Sequence, residues 1–202
     1  MNFASYTTSE YFPIFLTFYD SIKKNQDINL YVLCLDDKVS DHLINNKVKC
    51  KSISIDQIEN FAENIKKKNY QNISEKIGVY RLAFIDYLLQ EEKKDFHLID
   101  SDTYFFSETK NLENIVTKQD SSVAFCEHNF YYNQTDMNNL YGVYNAGYIY
   151  FKYNQDSLLF IKRYRELCEN FISWKVIKNK KNIFADQTYL EGLIKEFNFV
   201  KI

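Results

Sequence analysis

The feature that most constrains the fold is the apolar run "NLYVLCLDD", residues 29–37, which has polar residues on both sides. The run has the length of a strand, and consecutive apolar residues indicate a strand buried on both faces, as in the middle of a parallel sheet. Similar short runs recur at 95–99, 121–127 and 146–153, and segments with helical periodicity separate most of them. This alternation predicts a three-layer α/β fold with a mostly parallel central sheet.

Two segments show the helical spacing of apolar residues most clearly. Residues 9–24 should form a helix with Ser9 as its N-cap and Pro13 in its first turn. Residues 75–92 are apolar almost all round, so this helix should be buried. The pattern also predicts an opening strand at 1–6 and a final strand at 198–202. A weak strand at 47–55 should lead into an exposed helix at 56–68, and two later helices are expected at 155–173 and 184–197.

The composition excludes some functions and bounds the domain count. The net charge of −2, from 25 basic and 27 acidic residues, leaves no basic excess to drive nucleic-acid binding. The short basic runs at 66–68 and 178–181 are interpreted as solvated faces, with peripheral contact to the inner face of a membrane as the alternative. A length of 202 residues without Pro- or Gly-rich linkers predicts a single domain, 1–202.

Cysteine usage predicts the compartment. The four cysteines form no C-x-x-C pair, and the chain shows neither a signal peptide nor an apolar run of about 18 residues. Cys34 and Cys126 lie in apolar runs, where a thiol behaves as a small hydrophobic group. These features predict a reducing, cytoplasmic environment.

The stretch "DFHLIDSDTYFF" places two carboxylates directly after an apolar strand. Asp100 and Asp102 are two residues apart, so in an extended segment both would point to the same side. Their hard oxygen atoms suit a divalent cation such as Mg²⁺ or Mn²⁺. With 14 aspartates in the chain, however, about one Asp-x-Asp is expected by chance, and one is present. The motif therefore needs support from its context.

That support comes from the ends of the predicted strands. Three polar clusters, "SYTT", "LDD" and "DSD", follow three of the strands, and ligands of open α/β sheets bind beyond the carboxyl ends of the strands. Further along, Asn145, Ala146 and Gly147 stand between two aromatic stretches. An amide between small residues fits a site where a ligand presses against the backbone, although an ordinary turn into a strand is the alternative.

The order of these motifs resembles a known family. A short opening strand, "YRL" in a buried helix, "DSD", "YNAG" and "FADQTYL" occur in the order found in GT-A fold, nucleotide-sugar-dependent glycosyltransferases. The chain is most similar to family eight and the related nucleotide-diphospho-sugar transferases, from Phe3 to about Leu190. The resemblance implies a Rossmann-like GT-A fold, and Asp100 and Asp102 would hold Mn²⁺ or Mg²⁺ against the diphosphate of the donor.

The resemblance also implies roles at the nucleotide and at the buried helix. Ala4, Ser5 and Tyr6 would border the base, with Tyr6 as a stacking platform. Arg81 would reach the sugar or diphosphate, and a charge on so apolar a helix requires a partner. A structural ion pair of Arg81 with Asp86, Asp100 or Asp102 is a compatible alternative.

Around the sugar, the resemblance places Asn145, Ala146 and Gly147 along the donor pocket. Asp186 and Gln187 would stand on the opposite side of the anomeric carbon. In inverting relatives a carboxylate there serves as general base, whereas in retaining relatives the Asp-Gln pair orients the sugar. The alternative for Asp186 is an ordinary carboxylate at a helix N-terminus.

One feature departs from the family. Retaining members usually complete the metal site with a His well downstream of the Asp-Gln pair, but only 15 residues follow Gln187 and none is His. His97 is expected to be packed within its strand, and His42 and His128 are expected in loops. Water and the diphosphate could complete the coordination, the chain could lack a carboxyl-terminal segment, or the third ligand could differ from that of the family.

The resemblance therefore implies a metal-dependent glycosyltransferase of the hexosyltransferase type. The donor would be a nucleotide-diphosphate sugar, with a UDP-sugar favoured, and the acceptor a glycan or lipid-linked hydroxyl in glycan or lipopolysaccharide-type synthesis. A non-catalytic GT-A-like scaffold or sugar-nucleotide-binding domain is the main alternative. An Asp-based phosphatase is a weaker one, because its pattern has Thr or Val where this chain has Tyr104.

Overall fold

The computed structural model describes residues 1–24, 28–70, 72–118, 120–130, 137–170 and 185–201. The strands in these ranges form one seven-stranded sheet in the order β3-β2-β1-β4-β6-β5-β7. Their bounds are β1 Asn2–Thr7, β2 Asn29–Cys34, β3 Lys51–Ser54, β4 Phe96–Ile99, β5 Val123–Glu127, β6 Tyr144–Phe151 and β7 Val200–Lys201. Among these strands only β6 runs against the others, so the prediction of a mostly parallel sheet is confirmed.

Helices flank this sheet. Their bounds are α1 Phe12–Ile22, α2 Asp37–Asn45, α3 Ile55–Phe61, α4 Glu63–Lys66, α5 Ile73–Glu92, α6 Lys110–Lys118, α7 Met137–Tyr141, α8 Gln155–Asn170 and α9 Leu190–Glu196. A 3₁₀ turn, Gln187–Tyr189, leads directly into α9.

The two larger apolar cores of the described residues lie on opposite faces of the sheet. Phe3 of β1 packs with α1 and α2, whereas the next residue, Ala4, packs with α5. Val32 and Leu33 of β2 divide between the same two cores. Successive side chains of a strand point to opposite faces, so each central strand contributes to both cores. The three-layer α/β architecture is thereby confirmed.

The strand order creates a crevice at one edge of the sheet. The chain runs outward from β1 to β2 and β3, and then returns to place β4 on the other side of β1. Beyond such a reversal the connections diverge and leave space at the carboxyl ends of the strands. Because β6 is antiparallel, its amino end, which begins at Tyr144, lies at this same edge.

The first helix begins later than the sequence indicates. Its N-cap is Tyr11, without a side-chain cap, and Pro13 lies in its first turn. The prediction that Ser9 is the cap is wrong, because the Ser9 N–H donates to Oδ2 of Asp36 (2.7 Å) and the chain turns once more before α1. This contact ties the β1–α1 loop to the start of α2.

Three other helices differ from their predicted form. α2 was not expected; Asp36 caps it, and it places His42 in a helix rather than in a loop. The helix expected over 56–68 is interrupted at Ala62, whose φ/ψ of −132° and 72° lie outside the helical region and separate α3 from α4. The helix expected over 184–197 opens with the 3₁₀ turn. The last residues of the helix expected over 155–173, from 171 on, lie outside the described ranges.

The surface features agree in part with the sequence. All four cysteines are free and Cys34 is buried, but Cys126 is exposed, because β5 is no longer covered at its end. Lys66 and Lys67 are exposed, whereas Nζ of Lys68 donates to the carbonyls of residues 168 and 169 at the end of α8. The basic run 178–181 lies outside the described ranges. Within those ranges, no helix is both long and apolar enough to cross a bilayer.

Candidate active site at the carboxyl edge of the sheet

A cavity of about 1100 Å³ opens at this edge of the sheet. The loops after β1 and β2, the turn after β4, the start of β6, the first turns of α5 and the residues before α9 surround it. Most of the residues singled out from the sequence line it: Tyr6, Arg81, Asp100, Asp102, Asn145, Ala146, Gly147, Asp186 and Gln187. Residues distant in sequence thus converge at the place where an open α/β sheet binds its ligands.

Ala4 and Ser5 do not line this cavity. Both are fully buried within β1, and Ala4 belongs to the core beneath α5. β1 pairs with β2 on one side and β4 on the other, and both of its faces are covered. Of the three residues expected to border the base, the structure therefore places only Tyr6 on the cavity surface.

Arg81 is the centre of a buried network. Its Nη1 donates to Oδ1 of Asp100 (2.7 Å) and lies 3.0 Å from the hydroxyl oxygen of Tyr6. Its Nη2 donates to the carbonyl of Ala146 (2.6 Å), and its Nε lies 2.9 Å from Oδ2 of Asp186. Burial opposes the charge, but the two carboxylates outweigh it and raise the pKa of Arg81. The guanidinium therefore remains charged while only 4% exposed.

The partners of Arg81 differ in part from those considered from the sequence. The ion pair with Asp100 is present, and Asp186 was not among the candidates. Asp86 is instead paired with Arg165 of α8, and Asp102 contacts Tyr11.

Asp100 and Asp102 lie on a turn rather than in an extended segment. β4 ends at Ile99, and the Thr103 N–H donates to the Asp100 carbonyl (3.2 Å). Oδ1 of Asp100 accepts from Arg81 and from the Tyr6 hydroxyl, while Oδ2 of Asp102 accepts from the Tyr11 hydroxyl (3.3 Å). Burial raises the pKa of Asp100, and the nearby carboxylates raise it further, although Arg81 opposes the shift.

The two carboxylates fit a hard divalent cation with few protein ligands. Each has an oxygen atom, Oδ2 of Asp100 and Oδ1 of Asp102, without a hydrogen bond from the described residues. In the described part of the chain no cluster of three or more His, Cys, Asp or Glu could enclose a metal. Mg²⁺ is commonly held by one or two carboxylates together with substrate phosphates and water. The donor set therefore suits an ion shared with a phosphorylated ligand.

The start of β6 packs tightly against Asp100. The Gly147 N–H donates to Oδ1 of Asn145 (2.5 Å), and the Gly147 carbonyl accepts from the Asp100 N–H (2.9 Å). A Cβ atom at residue 147 would lie 2.8 Å from Oδ1 of Asn145 and 3.2 Å from Oδ2 of Asp100. Glycine is therefore required here for close approach of the backbone to two polar side chains.

Replacing Gly147 with alanine should displace both side chains from the cavity wall. We expect a loss of about 1–3 kcal/mol in the free energy of unfolding, because an added methyl group in a packed site forces its neighbours to move. Urea unfolding measures the loss. The matched control is Gly192→Ala in α9, where a Cβ would meet nothing within 4 Å and should stabilise the helix. Equal stability of the two variants would contradict the close packing at Gly147.

Asp186 and Gln187 are held on the other side of Arg81. Oδ2 of Asp186 contacts Nε of Arg81 and accepts from the Tyr164 hydroxyl (3.3 Å), and the residue is 4% exposed. Asp186 lies at the N-cap position of the 3₁₀ turn before α9, as its alternative interpretation expects, but its side chain makes no cap hydrogen bond there. Nε2 of Gln187 donates to the Tyr141 carbonyl (2.6 Å).

Two further residues of the cavity were not assigned a role from the sequence. Tyr11 contacts Asp102 from the β1–α1 loop, and Asp36 joins that loop to α2 through Ser9. Asp36 could have been found, since it belongs to one of the polar clusters, "LDD". Tyr11 carries no such signal. His97 is packed as expected, with Nδ1 3.0 Å from the Tyr148 hydroxyl oxygen, and burial lowers its pKa to about 3.

Solved structures with a similar fold define the class. Mouse xyloside xylosyltransferase 1 superimposes with a TM-score of 0.58 at 10% identity, over all of this chain and 84% of that protein. The galactosyltransferase LgtC, in complex with donor and acceptor sugar analogues, gives a TM-score of 0.56 at 14% identity, over all of this chain and 72% of that protein. The fold is that of the GT-A glycosyltransferases.

The family follows from the sequence as a whole. The sequence model of the nucleotide-diphospho-sugar transferases matches residues 26–199, most of the chain. The protein belongs to this nucleotide-diphospho-sugar transferase family. No curated protein sequence matches it.

Proposed function

We propose that this protein is a divalent-metal-dependent glycosyltransferase of the hexosyltransferase type. It transfers a sugar from a nucleotide-diphosphate sugar, with a UDP-sugar favoured, to the hydroxyl of a glycan or lipid-linked acceptor in glycan or lipopolysaccharide-type synthesis. One observation carries the proposal. Within a single cavity, Arg81 makes ion pairs with both Asp100 and Asp186. The other candidate metal ligand, Asp102, lies near Asp100, and Gln187 follows Asp186.

The metal end of the cavity serves the diphosphate. Asp100 and Asp102 would hold Mn²⁺ or Mg²⁺ through their free oxygen atoms. When bound, the ion supplies positive charge that stabilises the departing nucleoside diphosphate. Arg81 adds a fixed positive charge to the same region, and its contacts to Asp100 and Tyr6 hold that carboxylate in place before the donor arrives. Such preorganisation costs no rearrangement during the reaction.

The opposite wall serves the sugar. Asn145 and Gly147 form a narrow edge at the start of β6, where a ring can approach the backbone. Asp186 receives contacts from both Arg81 and Tyr164 on Oδ2. With Oδ2 engaged by both groups, Asp186 suits orientation of the sugar and stabilisation of positive charge at the anomeric carbon better than removal of a proton from the acceptor.

The alternatives make different predictions. A scaffold or binding domain would bind the sugar nucleotide without turning it over. A phosphatase would use Asp100 as nucleophile, through Oδ2 because Oδ1 accepts from Arg81 and Tyr6, and it would release phosphate from a phosphomonoester.

A thermal-shift screen tests the nucleotide and the metal together. UDP, GDP, CMP and their common sugar conjugates are each added with and without Mn²⁺. A ligand at 100 times its dissociation constant adds about 2.7 kcal/mol, which raises the midpoint by roughly 5–10 °C for a domain of this size. The shift with the correct donor should require Mn²⁺ and should be lost in Asp102→Asn.

The control for that screen is Asp41→Asn. Asp41 is an exposed carboxylate on α2 that does not line the cavity, so this variant should behave as the wild type. If no nucleotide shifts the midpoint with or without Mn²⁺, the proposed function is wrong. If a donor binds but is never hydrolysed or transferred, the binding-domain alternative replaces it.

A further inference from the structure

His128 lies next to Asn145, on the wall of the cavity proposed to bind the sugar, and the proposed function assigns it no role. It directly follows β5, and its N–H donates to the Val143 carbonyl (2.9 Å). Its ring is stacked on Phe130, with centroids 4.7 Å apart and planes 17° apart. These contacts fix the ring beside Asn145.

The orientation of Asn145 determines which nitrogen of His128 carries the proton. Oδ1 of Asn145 accepts from the Gly147 N–H, so Nδ2 is the atom that faces His128. This Nδ2 lies 3.3 Å from Nδ1 of His128. An amide nitrogen can only donate, so Nδ1 must accept. The neutral ring then carries its proton on Nε2, and burial favours the neutral ring by lowering the pKa of His128.

Gln187 offers the complementary atom. Its Nε2 donates to the Tyr141 carbonyl, which leaves Oε1 as an acceptor. Nε2 of His128 is buried and has no hydrogen-bond partner among the described residues. Both residues are held by the short segment before β6: the His128 N–H donates to the Val143 carbonyl (2.9 Å), and Nε2 of Gln187 donates to the Tyr141 carbonyl (2.6 Å) two residues earlier. The Gln187 side chain also raises the pKa of His128, against the larger effect of burial that lowers it. A buried donor without a partner in the described part of the chain and a side-chain acceptor are therefore anchored to the same segment, 141–143.

We propose that His128 is a positioning residue that joins Asn145 to Gln187. Nδ1 of His128 receives the Asn145 amide, and the Nε2–H of His128 donates to Oε1 of Gln187, a contact that tightens when the donor binds. Hydrogen bonds in ligand-free sites are often long and shorten in the complex. The bridge would hold the sugar-facing edge of β6 at a fixed distance from the Asp186-Gln187 turn. Its importance for turnover rests on the proposed function.

The bridge itself can be tested without substrate, by ¹⁵N NMR of the imidazole in the full chain near neutral pH. We expect a neutral His128 with its proton on Nε2. Asn145→Ala should shift the Nδ1 signal and Gln187→Leu the Nε2 signal. A proton on Nδ1, a charged ring, or an Nε2 signal that ignores Gln187→Leu would overturn the proposal.

Kinetics test whether the bridge matters for turnover, with release of UDP from UDP-glucose in the presence of Mn²⁺ as the assay. His128→Phe keeps the stacked ring and removes both nitrogens. We expect kcat to fall about 100-fold, because small misplacements of positioning groups have effects of this size. KM for the donor should change less than about threefold, since the loss concerns the transition state. His128→Gln, whose amide can donate near the Nε2 position, should recover part of kcat.

The controls separate positioning from stability. His42→Phe is the matched variant, since His42 also stacks on a phenylalanine, Phe12, at 5.1 Å and 27°, but lies outside the cavity lining. It should retain wild-type kcat. His128→Phe and Gln187→Leu together should cost no more than the larger single change, because residues that act as one unit are not additive. Full activity in His128→Phe would overturn the positioning role. If the wild type turns over no sugar nucleotide of the thermal-shift screen while the NMR result holds, the proposed function is rejected and the bridge stands.

Discussion

Replacing Arg81 with methionine should lower the free energy of unfolding by about 3–5 kcal/mol, because removal of one partner leaves buried carboxylates without compensation. Asp186 is 4% exposed and loses its contact with Nε, while Asp100 loses Nη1. The Ala146 carbonyl also loses its donor. Methionine preserves much of the side-chain volume, so the effect reports on charge and hydrogen bonding rather than on a cavity. Urea unfolding followed by circular dichroism measures it.

The matched control for this prediction is Arg163→Met. Arg163 pairs with Glu196 (3.2 Å) and Glu166 (3.6 Å), but its side chain is 41% exposed. Surface ion pairs contribute only about 0–1 kcal/mol, so this variant should be close to wild type. Adding Asp186→Asn to Arg81→Met should restore part of the stability by removing the orphaned charge. If the two arginine variants lose equal stability, the buried network does not stabilise the fold.

The sequence predicts the architecture well because the burial of a strand or helix determines the pattern of apolar residues along it. β2 reads as a continuous apolar run since both of its faces are covered, and α5 is apolar all round since it lies against the sheet and α8. The same reasoning predicts the site, because polar side chains at the carboxyl ends of parallel strands must meet at one edge.

What the sequence could not predict depends on geometry between distant elements. The direction of β6 is one example, since a run of buried residues reads alike in a parallel or an antiparallel strand. The interruption at Ala62 is another, because alanine is a strong helix former. The burial of Ala4 and Ser5 reflects the central position of β1, which a strand of only six residues does not reveal.

The partner of Arg81 was also beyond the sequence, although part of the answer follows from helix geometry. Asp86 is five residues away, which places it about 140° around the helix axis from Arg81, on another face. There it meets Arg165 of α8. The ion pair with Asp186 joins residues more than 100 positions apart, and neither side carries a local signal for the other.

Replacing Asp186 with asparagine should reduce turnover about 100- to 1,000-fold, the range found when one preorganised electrostatic group is removed from an active site. Asparagine keeps the shape and can still accept from Tyr164, but it removes the negative charge that Arg81 holds beside Gln187. Donor affinity should change little, because the diphosphate would be bound at Asp100 and Asp102. Turnover of the donor and its dissociation constant, measured separately, test this division.

The outcome distinguishes three roles of Asp186. Tyr164→Phe removes only the hydroxyl at 3.3 Å and should cost less than about tenfold, which makes it the graded control. If Asp186→Asn weakens donor binding as much as it slows turnover, Asp186 contributes uniform binding rather than transition-state stabilisation. If turnover is unchanged, Asp186 serves only to neutralise Arg81, and the proposed catalytic role is wrong. If turnover falls while the dissociation constant of the donor stays the same, the buried charge acts at the anomeric carbon. The network around Arg81 then connects the diphosphate-binding and sugar-binding parts of one active site.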